Sequence, residues 1–253
     1  MTQTPPILRV SHLSHRFSDG TLALDQVTLD FQAGELTVLV GANGSGKTTL
    51  LRHLNGLLMP QCGDVEVCGV SVQKNPKAAR KRVGMVFQDA DSQIVGETVY
   101  DDVAFGPENL KLNRDTIEHQ VRAALSTVGL WDMAEKPSYV LSGGQKRRLA
   151  IAGVLAMKPE ILLMDEPFSN LDYPSLCQVR DQILALHQDG HTLVITTHEL
   201  EKIVHYAQRL VVMEKGRVVR DGAPQDVAHA LERYGICSPC FMQAACGRSP
   251  WTP

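Results

Sequence analysis

Gly41-Ala42-Asn43-Gly44-Ser45-Gly46-Lys47-Thr48 fits the pattern G-x-x-x-x-G-K-[ST], and its setting matters as much as its letters. It follows a short apolar run, Leu36 to Val40, and opens a segment with leucines at 50, 51, 54, 57 and 58, close to a helical period. Strand, glycine-rich loop and helix in that order make a phosphate cradle. The glycines let backbone N–H groups turn toward phosphate oxygens, and the helix N-terminus adds partial positive charge. In such a cradle Lys47 bridges the β- and γ-phosphates and Thr48 binds magnesium. Gly41, Asn43, Gly44, Ser45, Gly46 and Thr49 complete the expected nucleotide contacts. The helix is expected to run on until just before Pro60.

Working outward, the N-terminal stretch reads as antiparallel strands. Leu8 and Val10 alternate, Asp19-Gly20 supplies a turn, and Val27, Leu29 and Phe31 alternate again. Residues 89–158 read mostly as helix. Ile161 to Met164 and Leu193 to Thr196 lack polar alternation, as parallel strands buried on both faces do. Between them lies a helix with Pro174 in its first turn, Gly190 past its end and a stripe of Leu176, Val179, Ile183 and Leu186. Leu210 to Val219, centred on Lys215-Gly216, reads as a hairpin. The predicted fold class is α/β: a P-loop core with an antiparallel N-terminal β-subdomain and an inserted helical subdomain.

Two carboxylates follow the first of these buried strands. Asp165, at the carboxyl end of a strand in an open sheet, faces the ligand crevice; it is read as a magnesium ligand acting through water. Glu166 is read as the base that orients and deprotonates the attacking water. His198, which ends the second buried strand, is read as a γ-phosphate contact that positions that water.

With 253 residues, 43% of them hydrophobic and 21% charged, the chain can bury a sizeable core without disulfides. A formal net charge of -3 argues against nucleic acid as a partner. The N-terminus lacks a signal-peptide layout, and no apolar run approaches the roughly 18 residues of a membrane span. A cytoplasmic protein with reduced cysteines is expected. Cys237, Cys240 and Cys246 form C-x-x-C-x5-C, with no fourth ligand at a familiar zinc spacing, so they are read as free thiols of a variable tail.

Leu141-Ser142-Gly143-Gly144-Gln145, directly before a helix with Arg147, Arg148, Leu149, Ile151 and Leu155, strongly resembles the signature motif of ABC ATPases. Other motifs match in order. Phe17 looks like the aromatic residue that stacks on adenine. Gln88 resembles the Q-loop glutamine that touches magnesium and links the nucleotide to the helical lobe. Ser169-Asn170-Leu171-Asp172 resembles the D-loop, with Asn170 in place of the commoner small residue. The resemblance spans about residues 7–225. It implies an ATPase domain over 1–225, with the helical subdomain at about 89–158, followed by a C-terminal helix and tail over 226–253. It further implies ATP and Mg2+ as cofactors and a head-to-tail dimer, in which Ser142 to Gln145 of one subunit bind the γ-phosphate held by the other.

The stretch from Gln93 to Leu110, and Ala150 to Met157 after the signature, resemble energy-coupling-factor ATPases, particularly those of cobalt and nickel importers. That implies a second ATPase subunit, a transmembrane coupling subunit docked on the helical lobe and a substrate-binding membrane subunit. The place of work would be the cytoplasmic face of the cell membrane. Cobalt is the first expectation for the solute, and biotin or another vitamin the second. Ile94, Val95, Val99, Val103 and Phe105, broken by Glu97, Asp101 and Asp102, either accept a partner helix or pack the lobe's own core. Of the rivals, a soluble ABC ATPase of the repair or translation kind lacks its coiled-coil insertion or second ATPase domain here. A P-loop kinase or GTPase would leave Leu141 to Gln145 without a purpose, and no N-K-x-D motif appears.

Overall fold

The computed structural model describes residues 5–239; Met1 to Thr4, and Cys240 and Cys246 with the rest of the tail, lie outside the described residues. Strands β1 (Leu8–Arg16) and β2 (Leu22–Phe31) form the expected hairpin. β3 (Leu36–Val40) is fully buried and feeds the phosphate loop, after which α1 (Lys47–Leu54) begins. The helix stops short of the expected end near Pro60. Leu57 and Leu58 continue its leucine period, yet both of their N–H groups fold back onto the carbonyl of Arg52, at 2.8 and 3.0 Å, and Leu57 is exposed.

A segment without a clear periodic signal follows: β4 (Cys62–Val67), β5 (Val70–Ser71), α2 (Pro76–Arg82) and β6 (Val83–Val86). The helical region holds α3 (Val99–Asn109), α4 (Arg114–Thr127) and α5 (Gly143–Leu155). The chain then re-enters the core through β7 (Ile161–Asp165), α6 (Tyr173–Gln188) and β8 (Thr192–Thr196). The hairpin β9 (Arg209–Glu214) and β10 (Arg217–Gly222) comes last of the strands. Where a C-terminal helix is expected from 226, one α turn, α7 (Pro224–Val227), runs into a 3-10 segment, Ala228–Tyr234.

Two sheets result, an antiparallel one ordered β2-β1-β4-β5 and a mixed one ordered β10-β9-β3-β8-β7-β6. The inner strands of the second run parallel. Alternate residues of its strands enter different cores, the reason those strands read as unbroken apolar runs. Leu162 and Met164 of β7 pack with α3, α4, α5 and α6 on one face. Ile161 and Leu163 pack with α1 and the antiparallel sheet on the other. Burial on both faces leaves the carboxyl ends of β3, β7 and β8 as the edge where polar groups gather.

Candidate active site

The phosphate loop turns through Gly46, whose φ of +101° suits a residue without a side chain. A Cβ there would also come within 2.6 Å of the Ala23 carbonyl oxygen. Immediately beyond, the buried Lys47 ammonium donates to the carbonyls of Gly41 (2.7 Å) and Ala42 (3.3 Å). Burial lowers its pKa, while Glu166 and Asp165 act in the opposite direction. A buried cation on neutral carbonyls is electrostatically incomplete, and an anion at the loop completes it. The Ser45 hydroxyl points the same way, since it is buried without a hydrogen-bond partner among the described residues.

Thr48, in the first turn of α1, donates to Asp165 Oδ2 at 2.8 Å. Two oxygens so placed suit a hard divalent cation, and Thr48 with Asp165 would hold Mg2+ here. Gln88, exposed on the cavity rim, could add its amide oxygen. Bound Mg2+ supplies charge neutralisation at the phosphates.

Glu166 leaves β7 in the left-handed region, with φ of +48°. The buried carboxylate accepts from the backbone N–H of His198 at 3.0 Å, and His198 Nε2 lies 3.3 Å from its other oxygen. Burial raises its pKa above the usual carboxylate range, against the pull of His198 and Lys47, and Asp165 adds to the rise. A base shifted upward is a stronger proton acceptor once ionised, which suits activation of water.

Phe17, Asn43 to Thr49, Gln88, Glu166 and His198 line one cavity of about 390 Å³. Asp165 reaches it through Thr48, and Gly41 anchors the loop beneath. Phe17 is half-exposed and meets the His15 ring edge-on at 5.0 Å. Thr21, Leu22 and Ala23 also line the cavity, although nothing in their sequence marks them; the hairpin between β1 and β2 brings them there.

The remaining candidates are elsewhere. Ser142 caps α5 in a reciprocal box with Gln145, whose side chain accepts from the Ser142 N–H at 2.8 Å. Asp172 caps α6 through the Ser175 N–H at 3.2 Å; hydrogen bonding by the Ser175 side chain, and then by that N–H, lowers its pKa. These two helix ends touch: a Cβ on Gly144 would fall 2.4 Å from the Ser175 hydroxyl oxygen. Ser142 to Gln145 and Asp172 are not among the residues lining the cavity of their own chain. Arg147, two residues past the signature, is buried and binds the carbonyls of Phe87 (2.6 Å) and Gln88 (2.5 Å). Sequence placed Arg147 on this helix but did not reveal that tie.

A phosphate loop at the end of a central parallel strand, with two carboxylates and a histidine across a nucleotide-sized cavity, defines a P-loop nucleoside triphosphatase. The family model described as ABC transporter matches residues 24–169. An energy-coupling factor transporter ATP-binding protein of Carboxydothermus hydrogenoformans is 40% identical over 239 residues, covering 93% of this chain and 88% of that protein. A cobalt import ATP-binding protein of Rhodobacter capsulatus is 40% identical over 254 residues, covering 98% and 91%. The solved structure of cbiO1 from Clostridium perfringens, part of the ABC transporter complex cbiONQ, superposes with a TM-score of 0.82 at 34% identity over 96% of this chain and 99% of that one. The chain belongs to the ABC transporter family, as an ATPase whose hydrolysis is coupled to transport.

Proposed function

We propose that the chain works in pairs as the ATPase of an energy-coupling-factor importer at the cytoplasmic face of the membrane, with cobalt or another transition-metal ion as the solute. Each ATP would lie between the Lys47 loop of one subunit and the Ser142-to-Gln145 helix end of the other. The observation that carries this reading is the separation of the two: the capped N-terminus of α5 stands apart from its own chain's cavity. Within that pair Lys47, Thr48 and Asp165 hold the triphosphate and its Mg2+. Glu166 takes the proton of the attacking water, and His198 keeps the Glu166 carboxylate aimed. The name of the Rhodobacter relative, a cobalt import ATP-binding protein, favours cobalt. Biotin or another vitamin is the second reading, since the relative named for an energy-coupling factor names no solute.

No helix among the described residues is long and apolar enough to cross a membrane, and that task would fall to membrane subunits. Their docking place would be the groove of about 490 Å³ between α2 and the helical region, walled by Val95, Phe105, Met157 and Met85. Val95 and Phe105 are 61% and 52% exposed there, whereas Val99 and Val103 are buried in the lobe's own core. The apolar stretch thus divides between the two roles.

Glu166→Gln should bind ATP, lose at least about 100-fold in hydrolysis and accumulate as an ATP-bound dimer by light scattering. Ser142→Arg should bind ATP without pairing. Hydrolysis at the wild-type rate in the first variant, or ordinary ATP-dependent pairing in the second, rejects the assignment.

A further inference from the structure

Between Asp165 and Glu166 stands a hydroxyl that the reading above does not use. Thr196 ends β8 and lies in register with Asp165 across the parallel pair. The residue is fully buried and is not among those lining the nucleotide cavity. Its Oγ1 donates to Asp165 Oδ1 at 2.6 Å. The same oxygen accepts the Glu166 N–H at 3.0 Å, and the Thr196 carbonyl accepts it as well, at 3.1 Å. A threonine hydroxyl has one proton to give and lone pairs to receive, and here both capacities are engaged.

The two bonds act on different things. With Oδ1 of Asp165 pinned by Thr196, Oδ2 is the oxygen left facing Thr48, which meets it at 2.8 Å. With its N–H held twice, Glu166 is kept in the left-handed turn, φ +48°, that carries its carboxylate out of the strand toward His198. A non-glycine residue keeps such a conformation only where its surroundings over-determine it. A strand-forming threonine satisfies β8 in either of its roles; only the alignment of the sheet turns its hydroxyl onto both carboxylate-bearing residues.

We propose that Thr196 is a positioning residue for hydrolysis, one hydroxyl setting both the Asp165 oxygen offered beside Thr48 and the exit of Glu166 from its strand. This rests on the roles given above to Asp165 and Glu166. Thr196→Val keeps the shape and removes the hydroxyl, while Thr196→Ser keeps the hydroxyl and removes the methyl. The full-length protein is assayed for steady-state hydrolysis and for binding of a fluorescent ATP analogue, in Mg2+ and again in EDTA. In Thr196→Val kcat should fall at least about tenfold, and the gain in analogue affinity caused by Mg2+ should shrink at least about threefold, with affinity in EDTA within about twofold of wild type. Thr196→Ser should recover both to within about threefold.

Wild-type kcat and Mg2+ gain in the valine variant overturn the proposal, and so does equal impairment of valine and serine, which would assign the effect to the methyl group. If the valine protein does not fold, the serine protein still decides: its failure in both assays has the same overturning force. Glu166→Gln run in parallel separates the two levels. If it is inactive while Thr196→Val is normal, only the proposal falls. If it hydrolyses normally, the catalytic reading falls and takes the proposal with it.

Discussion

Glu166 and His53 are both buried titratable groups, and burial pushes them in opposite directions. For Glu166 it disfavours the anion and raises the pKa; for His53 it disfavours the cation and lowers the pKa below 6.5. His53 is fully buried in α1, its Nδ1–H donating to the Thr49 carbonyl at 2.8 Å, with the His15 ring edge-on at 4.8 Å. That bond favours the protonated ring, while His15 adds to the lowering. The sign for stability follows. An unfolded His53 takes up its proton near 6.5 and the folded one only at lower pH, so the contribution of the neutral ring is complete above 6.5 and is lost as pH falls below it. Urea midpoints measured between about pH 7 and about pH 5 should therefore decline less steeply in His53→Leu than in wild type. Equal slopes would place the acid sensitivity elsewhere.

At the scale of elements, α3 shows how acidic residues that look like a docking surface can be structural. Asp101 closes a capping box with Thr98, whose hydroxyl donates to it at 2.6 Å. Asp102 is buried and accepts the N–H groups of Val95 (2.8 Å) and Gly96 (3.0 Å). Its pKa is raised by burial, against those two bonds. Asp102→Ala should cost about 2 kcal/mol in chemical denaturation, because two backbone donors lose their acceptor; a loss under about 0.5 kcal/mol would mean water replaces the carboxylate freely. Such roles are invisible in a sequence, where Glu97, Asp101 and Asp102 differ only in position. The inner strands were legible because burial on both faces makes them continuously apolar. β4 and α2 were not: Gly63 and Asp64 break the alternation of one, and the other buries only Ala79. The phosphate loop, both carboxylates and the helix that starts after Ser142 were legible from motif and context. Thr21 to Ala23 and the hydroxyl of Thr196 were not, since only tertiary alignment gives them their neighbours.

Taken as a whole, the molecule carries two openings, and one helical rod reaches both: it walls one and, through Arg147, holds Gln88 on the rim of the other. The nucleotide cavity lies at the ends of β3, β7 and β8, and the apolar groove lies between α2 and the helical region. Phe105→Ser, an exposed change on α3, should leave folding stability within about 0.5 kcal/mol and ATP binding within about twofold. It should weaken recovery of the membrane subunits by about tenfold in pull-down of the assembled complex; unchanged recovery would return Phe105 to an ordinary solvated position. The rod is α5, 13 residues and so about 20 Å long. Ser142 caps one end, Arg147 grips the carbonyls of Phe87 and Gln88 partway along, and Gly153 and Val154 at the other end, with Met157 just beyond it, wall the groove. The rod thus touches the groove directly and, through the Arg147 grip, the Gln88 rim of the nucleotide cavity. Any coupling carried by this contact is subject to thermodynamic reciprocity. By whatever factor a groove occupant alters the grip on nucleotide, nucleotide must alter the grip on that occupant by the same factor.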